Sequence, residues 1–464
     1  MRTRFVNLRI PTEGNDTEWA ELIVENGRFD EILPSDSATA AGDEQWVDLG
    51  GALVLPGVID GHVHFDDPGF THREDFASGT AAAAAGGVSC VVDMPCTSLP
   101  PVTDTEALRN KLEIIGPKAH VDYMLWGGVS GNSMTDTRWR KTLSDLVDSG
   151  VAAIKIYMLS GMDTFRDLIS TEIHDVLTET KRLGIPVGIH AEDRNIVDQL
   201  TRRAQDRGEN TVAAYAASRP PAAEASAVNV AVEACRATGA RIHIVHLASG
   251  EALDVVSAAR FENLPVSAET CPQYLAFTVE DLERLGSLLK TAPVVKDEAD
   301  RERLWQGLVS GELSFVATDH AAGKWPDEKQ TGSVWTDYGG VPGVELMLPY
   351  LYSEGLRTGR MTLQRLVEVT SAEPARFFGI DHRKGHLREG FDADFVVFDE
   401  SEQWTVSGRN LHNLNRYTPF EGRDWTGRVR ATYVRGVSAF ERRPEGTEFF
   451  APAGTGQWVK RGVA

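Results

Sequence analysis

Apolar residues along the chain fall into two textures. At both ends, short runs alternate with turn residues. Glu21 to Val24 precedes Glu25-Asn26-Gly27, and Phe29 to Leu33 follows. Late in the chain come Ala393 to Phe398, Trp404 to Val406 and Val429 to Arg435. Runs of this length, bounded by Gly, Asn and Asp, predict β-strands. Neither end has enough strands to bury a sheet alone. The pattern therefore predicts one small β-sandwich domain built from both termini, residues 1–55 and 385–464.

Between them, short apolar runs alternate with longer helical stretches, the pattern of parallel βα units. Eight runs can be counted: Val58 to His64, Ser89 to Met94, Val121 to Trp126, Ala152 to Met158, Pro186 to His190, Arg241 to Leu247, Val266 to Cys271 and Ser314 to Asp319. Helices are expected at Ala77 to Ala85, Thr171 to Leu183, Ala222 to Ala237 and Ala252 to Phe261. Eight such units close into an α/β fold of the (β/α)8 barrel type over residues 56–384; a doubly wound open sheet is the alternative. Ala81 to Ala85 reads as a small-residue helix face packed on the barrel.

Composition narrows the function. Against 47 Lys and Arg stand 68 Asp and Glu, a net charge of −21, so the overall field repels polyanions and nucleic acid is not an expected partner. Four cysteines without C-x-x-C spacing make no disulfide framework and fit a reducing cytoplasm. The first thirty residues lack the layout of a signal peptide, and no run reaches the length of a membrane span.

The strongest chemical feature is Asp60-Gly61-His62-Val63-His64. Residues two apart on a strand share a face, so both imidazoles converge at the end of the first run and can share a metal. His190, His246 and Asp319 fall at or near the ends of the fifth, sixth and eighth runs. In a barrel the carboxyl ends of the strands line one mouth, where active sites sit. His243 is out of phase with His246 and is expected to face the helix layer, and His320 is expected behind Asp319. Lys155 is an ammonium inside the apolar run Ala152 to Met158. It either snorkels to the mouth or pairs with a carboxylate, or else desolvation leaves its amine neutral enough to react with CO2 and form a bridging carbamate.

The run Pro56 to His64, with Lys155, His190-Ala191-Glu192, Val245-His246-Leu247, Glu269 to Leu275, Ala317 to His320 and the late Gly390 to Asp394 turn, resembles the cyclic amidohydrolases. The resemblance runs from about Leu53 to Val437. It implies a binuclear centre with two divalent cations, zinc first and Mn, Co or Fe as alternatives. His62, His64 and Asp319 would hold the buried cation and His190 and His246 the exposed one, with N6-carboxylated Lys155 bridging both. It further implies hydrolysis of a ring amide by a metal-bridging hydroxide, with Asp319 as general acid and base, in a homotetramer. Some relatives have lost ligands and serve as scaffolds; all six positions are filled here.

Differences within the family bear on the substrate. Dihydroorotases carry Arg and Asn, which grip a substrate carboxylate, where this chain has Asp66 and Cys96. Dihydropyrimidinases place a Tyr where Ser160 stands. Lys290-Thr291-Ala292-Pro293 and Leu411-His412-Asn413-Leu414-Asn415 resemble the allantoinase branch. The resemblance therefore implies allantoin as the ring opened, a hydantoin-type ring or other cyclic ureide next, and dihydroorotate last. Asp66, Cys96 and Ser160 would meet the substrate through side chains, and Thr291, Ala292 and Gly340 through the main chain. Asp66 as a turn cap before Pro68, and Cys96 as a small filler, are the structural alternatives.

Overall fold

The computed structural model describes residues 2–35, 44–443 and 445–462. Strands β1 (Arg2–Pro11), β2 (Thr17–Glu25), β3 (Arg28–Pro34) and β4 (Gln45–Pro56) open the chain. The barrel strands follow as β5 (Val58–Val63), β6 (Val88–Asp93), β7 (Asp122–Leu125), β8 (Gly127–Gly128), β9 (Ile154–Tyr157), β10 (Val187–His190), β11 (Ile242–Ile244), β12 (Val266–Thr270) and β13 (Phe315–Val316). The last four are β14 (Phe395–Thr405), β15 (Asp424–Val434), β16 (Val437–Arg442) and β17 (Glu448–Phe450).

Pairing within the barrel is parallel from β5 through β7 and from β8 through β13. β7 runs into β8 with only Trp126 between them, and a parallel bridge from Val63 to His320 joins the first strand to the segment after the last. The ring is therefore closed, which excludes the open sheet. Helices observed at Phe76–Ala85, Ser170–Leu183, Pro221–Thr238 and Gly250–Phe261 match the periodic stretches.

The terminal strands form one eight-stranded sheet in the order β17-β16-β15-β14-β4-β1-β2-β3, with β14 antiparallel to β4. If the sheet were flat, β3 and β14 would lie roughly 19 Å apart, four strand spacings. Yet the rings of Phe29 and Phe395 are 6.1 Å apart, so the sheet curls over its own apolar face. The expected sandwich is thus a single sheet folded on itself, with Phe5, Leu22, Val54 and Val397 in its core. Residues of alternate parity on β14, Val396 and Phe398, belong instead to the main core shared with the barrel.

The helix Phe76–Ala85, α1, explains its own composition. It contacts β6 of the barrel on one side and β15 and β16 on the other, and Ala82 to Ala85 are all buried. Thr432 Oγ1 donates to the Ala84 carbonyl at 2.6 Å, an approach that only small side chains permit. Asp75 caps this helix by accepting from Ser78 N at 2.8 Å. Asp75→Ala should cost about 1 kcal/mol, read as a lower denaturant midpoint at unchanged slope.

Asp122, Asp392 and Asp394 form a buried carboxylate cluster where the terminal sheet meets the barrel. Cations already neutralise it. Lys384 Nζ bonds Asp122 at 2.8 Å and also Asp394, while Arg435 bonds Asp122 and Arg383 bonds Asp392. Lys384 is held more basic than usual, because the surrounding carboxylates outweigh its burial. The cluster is a charge knot joining the two layers.

Candidate metal centre and substrate cavity

Three of the predicted ligands meet at one point. His62 Nε2 lies 3.3 Å from His64 Nε2, and Asp319 Oδ1 lies 3.2 and 3.1 Å from the same two nitrogens. A tetrahedral cation with ligand distances of about 2.0–2.1 Å has polyhedron edges of roughly 3.3–3.4 Å, so this triangle has the size of one coordination face. His62 is fixed from behind, its Nδ1 2.6 Å from Glu269 Oε1. That bond places the proton on Nδ1 and turns a bare Nε2 toward the triangle.

His190 and His246 form a second group, with Nδ1 of the first 3.0 Å from Nε2 of the second. Glu192 Oε2 accepts from His190 Nε2 at 2.9 Å and is itself held by Arg219 at 2.5 Å. The ring of His246 is 5.3 Å from that of His62, which brings the two groups side by side. Burial keeps the imidazoles of His62, His190 and His246 below their ordinary pKa, in the neutral form that ligates a metal.

Lys155 is wholly buried, 4.8 Å from the Tyr157 ring centroid, and among the described residues its Nζ has no hydrogen-bond partner. Burial lowers its pKa to about 8. It neither snorkels nor pairs with a carboxylate. A buried ammonium without an acceptor is costly, and this orphaned amine is what a carbamate would relieve. The donor set of imidazoles, a carboxylate and a modifiable amine thus fits divalent cations.

The expectation for His243 is overturned. Its Nε2 lies 3.1 Å from Glu269 Oε2, and its ring stacks on Phe315 inside the barrel. Strand alternation fails because His246 has φ 43°, which breaks the extended backbone and turns a residue of the opposite parity inward. Asp319 (φ 49°) and Asp66 (φ 54°) are also left-handed, so three non-glycine residues in strained backbone gather at this mouth. His320 lies one layer back. Its Nε2 contacts Glu74 Oε2 at 3.2 Å, and its Nδ1 accepts from the backbone of Gly343 and Val344.

Above the histidines opens a cavity of about 400 Å³, lined by His64, His190, His246 and Asp319 together with Cys96, Ser160 and Ala292. Asp66, Thr291 and Gly340 do not line it. Asp66 is fully buried, and burial pushes its pKa up to about 7 against the opposing pull of His64 and Thr97. The turn after it is made by its backbone carbonyl, which accepts from Phe70 N, so its side chain is not the cap. Thr291 and Gly340 sit behind Ala292 and Gly339, which do reach the cavity. Ser160 Oγ is spent on the Phe165 carbonyl at 2.7 Å.

Sequence reasoning missed Tyr157, Arg73, Arg219 and Tyr338, all on the cavity wall. Tyr157 stacks on His190 and its hydroxyl lies 3.1 Å from Cys96 Sγ. The signal was available: Tyr157 shares parity with Lys155.

The amidohydrolase family model matches residues 53–439. The chain belongs to the amidohydrolase family. An allantoinase of Rubrobacter xylanophilus is 38% identical over 91% of each chain. An L-hydantoinase of Paenarthrobacter aurescens is 32% identical over 98% of this chain and 97% of its own. Among solved structures, an L-hydantoinase (dihydropyrimidinase) from Arthrobacter aurescens superposes with a TM-score of 0.92 at 30% identity, covering 99% of both chains. Among the described residues no helix is long and apolar enough to cross a membrane.

Proposed function

We propose that this amidohydrolase opens the ring of a cyclic ureide by hydrolysing a ring amide, with allantoin as its substrate and allantoate as product. The observation that carries the reading is the facing pair of ligand groups at the floor of a 400 Å³ cavity, with an orphaned lysine amine between barrel strands beside them. The named relatives supply the ring class. His62, His64 and Asp319 would hold one divalent cation, His190 and His246 a second, and carboxylated Lys155 both. Bound there, two cations polarise a carbonyl and make water nucleophilic at neutral pH. The chain would work as a cytoplasmic homotetramer.

The protein's own groups account for the rest. Asp319 faces the cavity while touching both histidines of the first group, so it is placed to take a proton from the attacking water and return it to the departing ring nitrogen. Water adds to the ring carbonyl to form the C–O bond, and the C–N bond then breaks as the nitrogen takes up the proton, leaving a carboxylate and a freed ureido nitrogen. Tyr157 and the Ala292 and Gly339 segments wall the ring.

The test is a substrate panel of allantoin, hydantoin, dihydrouracil and dihydroorotate with metal-loaded protein. Allantoin is expected first and dihydroorotate last; a preference for dihydroorotate overturns the reading. Elemental analysis should find close to two cations per chain. Asp66 acts on this ranking from behind the wall, near His64 and Arg73. Asp66→Asn should leave metal content unchanged and alter kcat/KM by a factor equivalent to about 1–3 kcal/mol, the range for a buried polar group. An unchanged substrate ranking would confine Asp66 to a structural role.

A further inference from the structure

A cleft larger than the catalytic cavity opens elsewhere in the molecule. It has a volume of about 940 Å³ and opens on the terminal sheet, between β14, β15 and β16 and the segment 409–416. Six arginines line it, Arg409, Arg416, Arg428, Arg430, Arg442 and Arg443, against three carboxylates, Asp399, Glu402 and Glu448. In a chain of net charge −21 this concentration of cations runs against the whole.

Internal pairing does not explain the cleft. Arg428 is paired with Glu402 at 2.8 Å and Arg442 with Glu448 at 3.0 Å, while Arg430 donates to the Leu49 carbonyl. Among the described residues, the side chains of Arg409, Arg416 and Arg443 make no hydrogen bond or ion pair. His412 adds to the positive field: although burial opposes it, bonds to Glu345 and Glu448 raise its pKa to about 9. Burial, followed by the like charge of Arg428, holds Arg442 less basic than usual. Holding like charges together is repulsive, and the repulsion is relieved when an anion enters.

We propose that this cleft is a binding site for a small multivalent anion bearing phosphate or carboxylate groups. Guanidinium forks match both oxyanions in bidentate fashion, and the volume is that of a small-molecule site. Leu411 and Phe450 offer an apolar wall for the body of such a ligand. A long polyanion does not fit the charge pattern, because the surrounding chain is acidic.

The cleft is mechanically tied to the catalytic mouth. The segment carrying Arg409, His412 and Arg416 also carries Leu414, whose N–H reaches Glu74, the partner of His320. Asn415 Nδ2 bonds the carbonyls of His72 and Arg73, and Arg73 lines the catalytic cavity. The segment that lines the cleft thus also braces a wall of the catalytic cavity.

The experiment is calorimetric titration of metal-loaded protein with inorganic phosphate, and separately with citrate, at ionic strength held constant by NaCl. The comparison variant is Arg409→Gln/Arg416→Gln/Arg443→Gln, three exposed positions outside the proposed catalytic machinery. Saturable binding of one anion per chain is expected in the wild type, weakened about tenfold or more in the triple variant by loss of charge-assisted bonds. Phosphate alone or citrate alone supports the site and identifies its chemistry. Binding equal in both proteins overturns the proposal, as does no binding to the wild type. If neither anion binds and sedimentation shows the triple variant losing subunits, the cleft is instead a contact between copies of the chain, and the proposal also fails.

Discussion

Lys155→Ala is expected to lose turnover entirely and most of its metal, while short carboxylic acids added to the variant restore part of both. The expectation starts from packing. β9 directs Lys155 into the barrel between Ala153 and Tyr157, and among the described residues no acceptor lies within hydrogen-bonding distance of Nζ. A neutral amine in that position can attack CO2; the new N–C bond forms as nitrogen loses a proton, and a carboxylate replaces the ammonium. That exchange turns an unsatisfied cation into two oxygens facing His62 and His246, whose imidazoles burial keeps neutral. Added acetate or propionate can occupy the space left by the shortened side chain. Lys155→Arg should not be rescued, because a guanidinium does not form the carbamate and fills the space itself. An active Arg variant, or an Ala variant that keeps its metal, would show that Lys155 is only a packed lysine.

Much of this molecule is legible in its sequence, because strand and helix periods survive wherever one face is apolar. The barrel strands were visible as apolar runs, and the ligands as polar residues at their carboxyl ends. Four strands of the terminal sheet, β1, β4, β16 and β17, were not. β1 carries Arg2, Arg4 and Arg9, and Arg4 is buried because Glu21 and Glu44 pair with it at 2.7 and 3.0 Å. A charge neutralised by distant residues looks like a solvated one until the fold is known. His243 was misplaced for a different reason: parity holds only while the backbone stays extended, and nothing in the residue types around His246 announces its positive φ. Cavity contacts read poorly because a wall is two residues thick. Ala292 and Gly339 reach the space, while Thr291 and Gly340 support them.

Glu269 is the group whose importance emerges only from the structure, and Glu269→Gln is expected to weaken metal affinity about 10–100-fold. The carboxylate is wholly buried and contacts two imidazoles at once, His62 Nδ1 through Oε1 and His243 Nε2 through Oε2. As an acceptor at both ends, it sets both tautomers. Glutamine keeps one acceptor and gains a donor, so one of the two histidines must turn its lone pair toward the amide. If His62 does so, its proton moves to Nε2, the atom that faces His64 and Asp319. Metal affinity should fall, and kcat should fall with it, more than KM rises. The double variant Glu269→Gln/His243→Phe separates this tautomer effect from simple disruption. Phenylalanine preserves the stacking on Phe315 and makes no demand on the amide, which can then present its oxygen to His62. Recovery of metal binding in the double variant is the expected result. Equal loss in both variants would mean that the negative charge of Glu269, rather than its choice of tautomer, sustains the centre.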